Sequence, residues 1–520
     1  MSAAVLAAAL VLALFVLSSP ALSGSTTLTV TKTADTNDGA CNADCSLREA
    51  IVQANAFATD DIDVPAGTYK LTIKGRDEDL AATGDLDIRS GVTIRGEGAR
   101  NTTIGGNGID RVFHTPIQGT AATLFTVSIF NVKITGGAIP DSVGGGILHT
   151  ARGATLNLSN STVSGNSALQ GGGINSGGGQ GFGETVRIIN STISGNTAPG
   201  GQGGGIQNTE NLTLENTTVS GNRSKFGGGI VQTSGTLRIT DSTIAFNTAQ
   251  QPGGGIFVSS GAPTFKNAIV SNNQSDFAGF KNCSRSVTSE GNNLERGTSC
   301  GFSEPGDKNA DPRLGELANN GGPTNTHALL RRSPAINAGG TPFPATDQRG
   351  IPRPQGIAND IGSFEKKLKI NVVQCPTGGS STECLGTSAG DALIGRDGTY
   401  DNIKGVQGDD IYNGKGGCDA LNDASSTSSD YYLVSVEEFC AVGISSLSIQ
   451  DDGGGKDVLD LSRFYESSDF AFSEAYIHLD MDGPGVNNIT IYNFFTTDSI
   501  NVFKFSDKTL TAKQVKGMIN

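Results

Sequence analysis

The carboxy-terminal part of the chain contains aspartates and glycines at a spacing suited to binding a hard cation. Units of nine residues begin at Gly386, Gly405 and Gly414, for example G-V-Q-G-D-D-I-Y-N, and a unit of ten begins at Gly395. Glycine-rich turns expose carbonyl oxygens and one aspartate per turn adds an anionic oxygen, which is the donor set that Ca²⁺ prefers. The sequence therefore predicts calcium as the bound ion. The predicted ligands are the carboxylates of Asp391, Asp401, Asp410 and Asp419 and the carbonyls of Gly405, Gln407, Gly414 and Gly416.

These units resemble the RTX (haemolysin-type) nonapeptide G-G-x-G-x-D-x-U-x, which forms a calcium-binding β-roll. The resemblance implies an inward position for Leu393, Ile403, Tyr412 and Leu421. Residues 386–520 include 21 acidic and 9 basic side chains, so this part carries most of the net charge of −14. An acidic β-module that folds without metal is the alternative interpretation.

Residues arranged for catalysis are not evident in the middle of the chain. Lyase or hydrolase chemistry on polysaccharides needs clustered carboxylates. His114 and His149 stand alone in the sequence and are expected in surface or turn positions. We therefore predict no catalytic residues and favour a noncatalytic structural or adhesive protein; an extracellular polysaccharide lyase or glycoside hydrolase is the alternative. The acidic residues between positions 121 and 275 are scattered: Asp141, Glu184, Glu210, Glu215 and Asp241.

A repeat between Asn101 and Asn273 indicates the elements that must position these residues. Phrases such as N-S-T-V-S-G-N occur seven times with starts 25 to 30 residues apart, a period typical of solenoids. Alternating apolar and polar residues indicate strands with one buried face. We expect three short strands per coil and coils stacked about 4.8 Å apart. The predicted fold is all-β: a right-handed parallel β-helix of the pectin-lyase-like kind, followed by a small β-roll.

Equivalent residues of successive coils should stack. The Gly triplets preceding the second row should permit bends where a Cβ would clash. Asparagines that begin each phrase, such as Asn160, Asn190 and Asn216, should adopt left-handed bends and bond to their equivalents above and below; glycosylation at N-x-S/T is the alternative. One predicted interior row is Ile104, Ile134, Val163, Ile193, Val219, Ile244 and Val270, and a second is Ile147, Ile174, Ile206, Ile230 and Ile256.

The first coil should be closed by a short amphipathic helix. Ser46 and Glu49 form a capping box, and Leu47, Ala50, Ile51 and Ala54 follow at helical spacing. The runs C-S-L-R-E-A-I from Cys45, P-A-G-T-Y-K-L from Pro65 and G-D-L-D-I from Gly84 resemble the CSLREA-type amino-terminal region of bacterial secreted β-helix proteins.

A second resemblance covers residues 311–365. The runs D-P-R-L-G-E-L, N-G-G-P-T-N-T-H-A-L-L, S-P-A-I-N-A-G, D-Q-R-G-I-P-R-P-Q and D-I-G-S-F-E are similar to a choice-of-anchor region. In that family the segment precedes a variable carboxy-terminal module, often one concerned with surface attachment or sorting. The two resemblances imply a fold and a location but no chemistry.

Features of an exported protein occur at the amino terminus and in the pairing of the cysteines. An apolar run from Ala3 to Leu17, followed by Pro20, Ala21 and Ser23, predicts a secretory signal cleaved near Ser23, with an uncleaved membrane anchor as the alternative. An oxidising compartment favours disulfides over metal for closely spaced cysteines. We predict the pairs Cys41–Cys45, Cys283–Cys300, Cys375–Cys384 and Cys418–Cys440.

The predicted protein is extracellular or held at the cell surface after Sec-type export. Nucleic acid is excluded as a partner because the acidic chain has no basic stripe to neutralise phosphates. Extracellular polysaccharide and cell-envelope components are the expected partners, and the protein is expected to be a monomer. The predicted organisation is signal peptide 1–23, cap and first coils 24–100, β-helix 101–305, choice-of-anchor-like segment 306–366, linker 367–385 and RTX-like module 386–520.

Overall fold

A computed structural model describes most of residues 27–367 and the strands of the remainder. The chain divides into two units, residues 1–366 and 367–520. The predicted signal peptide and the Cys418–Cys440 pair lie outside the described residues. Described are residues 27–56, 61–119, 122, 124–177, 183–277, 279–356, 358–367, 371–375, 383–387, 391–396, 401–406, 410–413, 420–423, 430–433, 447–451, 457–460, 470–472, 476–479, 487–492, 500, 502–504 and 509–511.

The first unit is a right-handed parallel β-helix, as predicted, because each strand pairs in parallel with its equivalent one coil later. The chain visits up to four sheets in each coil. The first sheet contains Thr27–Thr29, Asp61–Val64, Val92–Gly96, Thr126–Phe130, Thr155–Ser159, Thr185–Ile189, Asn211–Glu215, Leu237–Thr240, Thr264–Lys266 and Thr288–Ser289. The second contains Gly67–Lys70, Thr102–Gly105, Lys133–Thr135, Thr162–Ser164, Thr192–Ser194, Thr218–Ser220, Thr243–Ala245, Ile269–Ser271, Leu294–Glu295 and Lys308–Asn309.

Two further sheets complete the coils. The third contains Ala138–Val143, Ser167–Gln170, Thr197–Gln202, Arg223–Phe226, Thr248–Ala249 and Gln274–Ser275. The fourth contains Leu86–Asp87, Phe113–Thr115, Ile147–His149, Ile174–Ser176, Ile206–Asn208, Ile230–Gln232 and Ile256–Val258.

The prediction of three strands per coil is wrong for the coils between Thr126 and Val258, where the strands of the third sheet, beginning with Ala138–Val143, add a fourth strand to each coil. Each coil there has three left-handed bends, for example at Asn160 (φ 49°), Gly165 (φ 66°) and Gly171 (φ 60°). Each bend ends one strand and lets the next begin, so three bends separate four strands. Among the described residues, the coils before Ala138 have no strand in the third sheet and fit the prediction.

Both predicted interior rows are confirmed. Every member of the two rows is completely buried, and the register places Ile104 beside Ile134, Ile134 beside Val163, and so on along the axis. Burial of each such side chain contributes roughly 1.5–3 kcal/mol. The Gly triplets are confirmed too, because a Cβ on Gly172 would lie 2.3 Å from the carbonyl oxygen of Thr197.

The asparagine ladder exists, but in a different column from the predicted one. Asn160, Asn190 and Asn216 do adopt left-handed bends. The stacked amides instead belong to the asparagines that end the last five copies of the phrase, followed by Asn282. Each of them donates from Nδ2 to Oδ1 of the next at 2.9–3.1 Å. The ladder consists of Asn166, Asn196, Asn222, Asn247, Asn273 and Asn282, all buried.

The bend asparagines are unavailable for that ladder because their side chains reach outward. Asn216, Asn267 and Asn292 donate from Nδ2 to the carbonyl oxygens of Thr346, Gly340 and Ala338 at 2.8, 2.8 and 3.0 Å. Of this column, Asn267 and Asp241 are joined by a hydrogen bond of 3.2 Å. These asparagines therefore fasten residues 338–346 to the coil.

The segment from Asp311 to Lys366, which we call the covering segment, lies on the outer face of the second sheet. It begins with an antiparallel hairpin, Leu314–Ala318 and Thr326–Leu329. Thr192 donates from Oγ1 to the Asn325 carbonyl at 2.6 Å, and Thr218 donates to Gln348 Oε1 at 2.6 Å. A small core joins the two layers: Ile269, Leu294, Leu329, Ala335, Ile361 and Phe364.

The amino-terminal end is closed by the predicted helix, Leu47–Ala56. Ser46 and Glu49 form the capping box: the Ser46 N–H donates to Glu49 Oε2 at 2.7 Å and the Glu49 N–H donates to Ser46 Oγ at 3.2 Å. No helix among the described residues has the length and hydrophobicity to cross a membrane. The disulfides Cys41–Cys45, Cys283–Cys300 and Cys375–Cys384 are confirmed.

The second unit is a roll of two mainly parallel sheets that the chain visits in alternation in its first coils. The fifth sheet contains Asn371–Gln374, Asp391–Ile394, Ile411–Asn413, Tyr431–Leu433, Val458–Asp460, Val502–Lys504 and Thr509–Thr511. The sixth contains Glu383–Leu385, Asn402–Lys404, Ala420–Asp423, Leu447–Asp451, Asn487–Tyr492, Tyr476–Leu479 and Phe470–Phe472. Leu393, Ile403, Tyr412 and Leu421 are completely buried, so their predicted inward position is confirmed.

Candidate functional sites

A column of buried aspartates marks the start of the strands in the fifth sheet. Asp391, Asp410, Asp430 and Asp457 each begin such a strand or immediately precede one, and each is at most 1 % exposed. Oδ1 of Asp410 accepts the backbone N–H of Asp391 at 2.8 Å. The carboxylates of Asp430 and Asp457 accept the N–H groups of Asp410 and Asp430 in the same way, at 2.8 and 2.9 Å. The coil register therefore stacks the carboxylates.

One of the predicted calcium ligands belongs to a tight carboxylate cluster. Carboxylate oxygens of Asp410, Asp423 and Asp430 all lie within 4.8 Å of one another, and the three residues are buried. Gly405 adjoins this cluster, since a Cβ there would be 2.3 Å from Asp410 Oδ2. We call Asp410, Asp423 and Asp430 the carboxylate cluster.

The other predicted ligands lie elsewhere or are not described. Asp391 Oδ2 accepts the Thr387 hydroxyl at 2.9 Å, and Asp401 forms an ion pair of 2.6 Å with Arg396. The structure does not bring these two carboxylates into the cluster. Gln407, Gly414, Gly416 and Asp419 lie outside the described residues.

The buried phenol of Tyr412 lies close to the carboxylate cluster. Its ring stacks on Tyr432 with centroids 4.8 Å apart, and its hydroxyl donates to the Asn422 carbonyl at 3.2 Å. Burial raises the pKa of Tyr412 far above its usual range, and the charges of Asp430, Asp423 and Asp410 raise it further. The interior of the roll therefore has a negative electrostatic potential beside the carboxylate cluster.

Sequence reasoning missed Asp423 and Asp430. The nine-residue unit ends before them, but the pattern of aspartate followed by a strand continues: D-A-L, D-I-Y, D-Y-Y and D-V-L begin at Asp391, Asp410, Asp430 and Asp457. Following this pattern past Asn422 finds Asp430. Asp423 ends a strand of the sixth sheet, and nothing in the repeat predicts that its carboxylate lies beside those of Asp410 and Asp430.

A second polar cluster lies in the first coils of the β-helix. Asp87 and His114 are register neighbours in the fourth sheet, and His114 Nδ1 lies 3.0 Å from Asp87 Oδ1 and 3.5 Å from Asp79 Oδ1. Asp85 immediately precedes Asp87's strand and pairs with Arg111 at 2.9 Å. We call Asp79, Asp85, Asp87, Arg111 and His114 the first-coil cluster.

The cap helix holds the backbone that carries this cluster. The Arg48 side chain is completely buried and donates to the carbonyl oxygens of Ala81, Gly84 and Asp85 at 2.8–3.1 Å. It also pairs with Asp35 at 2.7 Å. The motifs C-S-L-R-E-A-I and G-D-L-D-I are thus joined in space through this arginine.

The prediction of surface or turn positions for the two histidines is wrong. His114 is 9 % exposed and His149 is completely buried, and both lie in strands of the fourth sheet. His149 Nδ1 lies 2.6 Å from Thr115 Oγ1 and His114 Nε2 lies 3.3 Å from Thr150 Oγ1. Both rings are buried because neighbouring threonines in the coil supply hydrogen bonds, which an isolated sequence position does not reveal.

The electrostatics of the first-coil cluster favour protonated carboxyl groups. Burial raises the pKa values of Asp85 and Asp87 toward neutrality even though Arg111 lowers them, and burial lowers the pKa of His114. Such groups can exchange protons near pH 7. Asp85 and Asp87 are, however, at most 2 % exposed, so a large substrate reaches only Asp79 and the edge of His114.

The scattered acids of the central coils do not form a site of this kind. Asp141 is exposed and pairs with Arg76 at 2.6 Å, whereas Asp241 is buried at a bend. Glu184 and Glu210 precede paired strands and are therefore neighbours, and burial raises the pKa of Glu184. Glu215 ends the strand that Glu210 precedes and is half-buried, whereas Glu210 is buried. The expectation of different environments for these two residues is therefore confirmed.

Comparisons with known proteins agree with the coil architecture. The family described as "Right handed beta helix region" matches residues 170–298. No curated protein matches the chain.

Several solved structures are similar at low levels. The crystal structure of pectate lyase Pel9A has 14 % identity and a TM-score of 0.32, over 66 % of this chain and 98 % of that one. The PL6 family alginate lyase AlyGC has 10 % identity and a TM-score of 0.20, over 84 % of this chain and 76 % of the lyase. The catalytic domain of a GH87 α-1,3-glucanase in complex with nigerose has 10 % identity and a TM-score of 0.17, over 91 % and 70 %. These values are too low to support an inference about activity.

Proposed function

We propose that the protein is a secreted or surface-held β-helix scaffold whose carboxy-terminal module binds calcium. The observation that carries the calcium assignment is the convergence of Asp410, Asp423 and Asp430. Three buried carboxylates this close repel one another when ionised, and a cation removes that repulsion. The donor set consists of hard oxygens, which suits Ca²⁺ better than a metal that prefers nitrogen or sulfur.

The scaffold assignment is supported by the way the first unit uses its surfaces. Stacked aliphatic rows and the amide ladder fill the coil interior, and the covering segment occupies the outer face of the second sheet. Three disulfides suit an oxidising extracellular environment. Residues equivalent to the choice-of-anchor region would then link the coil to the calcium module, with polysaccharide or envelope components as partners.

Calcium titration of the full mature chain tests the ion assignment. After removal of metal with a chelator, calorimetry should detect binding of Ca²⁺ and a rise in the melting temperature. The double variant Asp423→Asn, Asp430→Asn should weaken binding by at least about tenfold, since it removes two anionic ligands. Asp401→Asn is the matched control, because Asp401 is paired with Arg396. Unchanged binding in the double variant would refute the site.

The alternative function, a polysaccharide lyase or hydrolase, finds its best support in the first-coil cluster. His114, whose edge a substrate can reach, lies 3.0 Å from the buried Asp87 carboxyl group, whose pKa is raised toward neutrality, and could act with it as a general acid or base. Assays of unsaturated products and reducing ends from acidic polysaccharides, with and without calcium, decide the matter. Activity that Asp87→Asn abolishes without changing the melting temperature would replace the scaffold assignment.

A further inference from the structure

A groove in the first unit combines an exposed aromatic ring with basic side chains. Its volume is about 1090 Å³, and it runs past the last strand of the third sheet, Gln274–Ser275. Phe246 lines it together with Lys281, Arg296, Arg313 and Arg331. None of these residues belongs to the carboxylate cluster or the first-coil cluster.

Phe246 occupies a backbone position that is unfavourable for a bulky residue. Its φ is 59°, and the equivalent residues in the three preceding coils are Gly165, Gly195 and Gly221 with φ values of 66°, 62° and 66°. Left-handed backbone is costly for a side chain of this size, and residues held in it concentrate at ligand-binding sites. The residue is 40 % exposed, so part of it is open to a ligand.

The ring of Phe246 makes few contacts with other rings. Its one close ring neighbour among the described residues is His327, with centroids 4.9 Å apart. His327 is already held by Ser220 Oγ at 2.8 Å and by the Gly315 carbonyl at 2.7 Å. A phenylalanine in place of glycine therefore adds a surface to the groove and little to the hairpin.

The charge of the groove is opposite to that of the chain as a whole. Lys281, Arg296, Arg313 and Arg331 are all exposed, and Asp311, which pairs with Arg296 at 3.2 Å, is the acidic residue of the lining. The whole protein has a net charge of −14. A local excess of basic side chains on an acidic protein attracts anions to that place.

The remaining lining supplies neutral hydrogen-bonding groups. Asn272, Gln274 and Ser275 line the groove beside Phe246, and their amides and hydroxyl can bond to hydroxyl groups of a ligand. An aromatic face packs against the apolar face of a sugar ring, and guanidinium groups bind carboxylates in a fork. We propose that this groove binds an acidic oligosaccharide of the uronate type.

This proposal builds on the scaffold function by giving the scaffold a ligand. Ligand binding in the groove should not require calcium. All its lining residues lie in the first unit, so binding can be measured in the presence of a chelator. Failure of one assignment is then distinguishable from failure of the other.

Titration of the full mature chain with oligogalacturonate in chelator at low salt tests the proposal. Wild type should bind, and the affinity should fall as salt screens the basic residues. Phe246→Gly should weaken binding by about tenfold while the melting temperature stays the same or rises, because glycine suits the left-handed backbone. Phe280→Ala, at an exposed ring that does not line the groove, should bind as wild type does.

A variant that removes two positive charges tests the basic side chains separately from the Phe246 ring. Arg313→Gln with Arg331→Gln should weaken binding and flatten its salt dependence. No binding by wild type, or binding of a neutral oligosaccharide with equal affinity, would overturn the proposal. So would equal binding of polyglutamate, which would identify an acidic peptide as the ligand. A melting temperature lowered by Phe246→Gly with unchanged affinity would show that the ring is structural.

Discussion

The first coils and the central coils of the β-helix bury polar groups in two different ways. In the first coils, ionisable side chains are buried: Asp85, Asp87, Arg111 and His114, with Arg48 from the cap helix. In the central coils the polar column that repeats from coil to coil consists of neutral amides, and the buried ionisable groups there, such as Glu184 and Asp241, do not form such a column. An amide that repeats in every coil meets its own copy as donor and acceptor, whereas a buried charge needs a different partner that the chain must supply separately.

This difference explains why the two regions are held together by different kinds of partner. Asn222 bonds to Asn196 and Asn247, one coil away on either side. Arg48 instead bonds to Asp35 and to carbonyl oxygens 33 to 37 residues away. The first coils are therefore assembled by specific pairs, and the central coils by repetition of one pair.

The largest expected effect is in the first coils. Arg48→Ala should lower the free energy of unfolding by about 3–5 kcal/mol, since the Asp35 carboxylate loses its cation and three buried carbonyl oxygens lose their donor. Urea denaturation followed by circular dichroism measures the change. Arg95→Ala is the control, because the Arg95–Asp61 pair is partly exposed and is worth less than about 1 kcal/mol. If Arg48→Ala and Arg95→Ala lost equal free energy of unfolding, the buried pairs of the first coils would have no special role in stability.

Breaking the ladder should have the next largest effect. Asn222→Ala should cost about 2–4 kcal/mol, because the N–H and Nδ2 of Asn196 lose an acceptor, and Asn247 Oδ1 and the Ile193 carbonyl each lose the Nδ2 donor. The same denaturation experiment measures it. Asn157→Ala removes a half-buried amide with one bond of 3.3 Å to Ser128 and should cost less than about 1 kcal/mol. A loss at Asn222 no larger than this would show that the amides are not coupled.

The smallest effect concerns a carboxylate placed in the central coils. Asp241 stands where six other copies have asparagine, and burial raises its pKa to about 7, against smaller lowering contributions that begin with Arg353. Because the folded pKa lies above the unfolded value, the folded state binds more protons between about pH 4 and 7 and loses stability as the pH rises. Asp241→Asn should therefore stabilise the protein by roughly 1–3 kcal/mol at pH 8 and by nothing at pH 3.

Thermal melts of Asp241→Asn at several pH values check this prediction. Asp276→Asn, at an exposed carboxylate, is the control for general effects of charge. Stabilisation that persists unchanged at pH 3 would mean that the bend prefers asparagine for reasons other than charge.

The repetitive parts of the fold could be predicted from the sequence. The interior rows, the Gly triplets, the cap helix and three disulfides follow from local patterns that recur or lie close together, such as Cys283 and Cys300. The fourth strand per coil could not, since a strand as short as Thr248–Ala249 leaves no periodicity to detect. The ladder column was misplaced because both asparagines of the phrase recur equally often, and only the direction of the side chain distinguishes Asn160 from Asn166.

The polar clusters were harder to predict for a different reason. Asp87 and His114 meet through coil register, but the loops between them vary in length, so their spacing in the sequence carries no signal. In the roll, Asp410 was predicted, but its companions Asp423 and Asp430 come from two different sheets. Sites made by one repeat are visible in the sequence, whereas sites made between unlike coils need the structure.

The ladder has a direction with a consequence for how the protein can change length. Every amide donates toward the later coil, and the last one, Asn282, donates to Glu295 Oε1 at 3.1 Å. The amide links from Asn166 to Asn273 are equivalent, so in the ladder alone excision of residues 197–222 would let Asn196 meet Asn247 with the same kind of bond. The same excision would remove Asn216 and Thr218, which hold the covering segment. The ladder therefore tolerates loss or tandem duplication of a coil, whereas the covering segment opposes such a change in the coils that it spans.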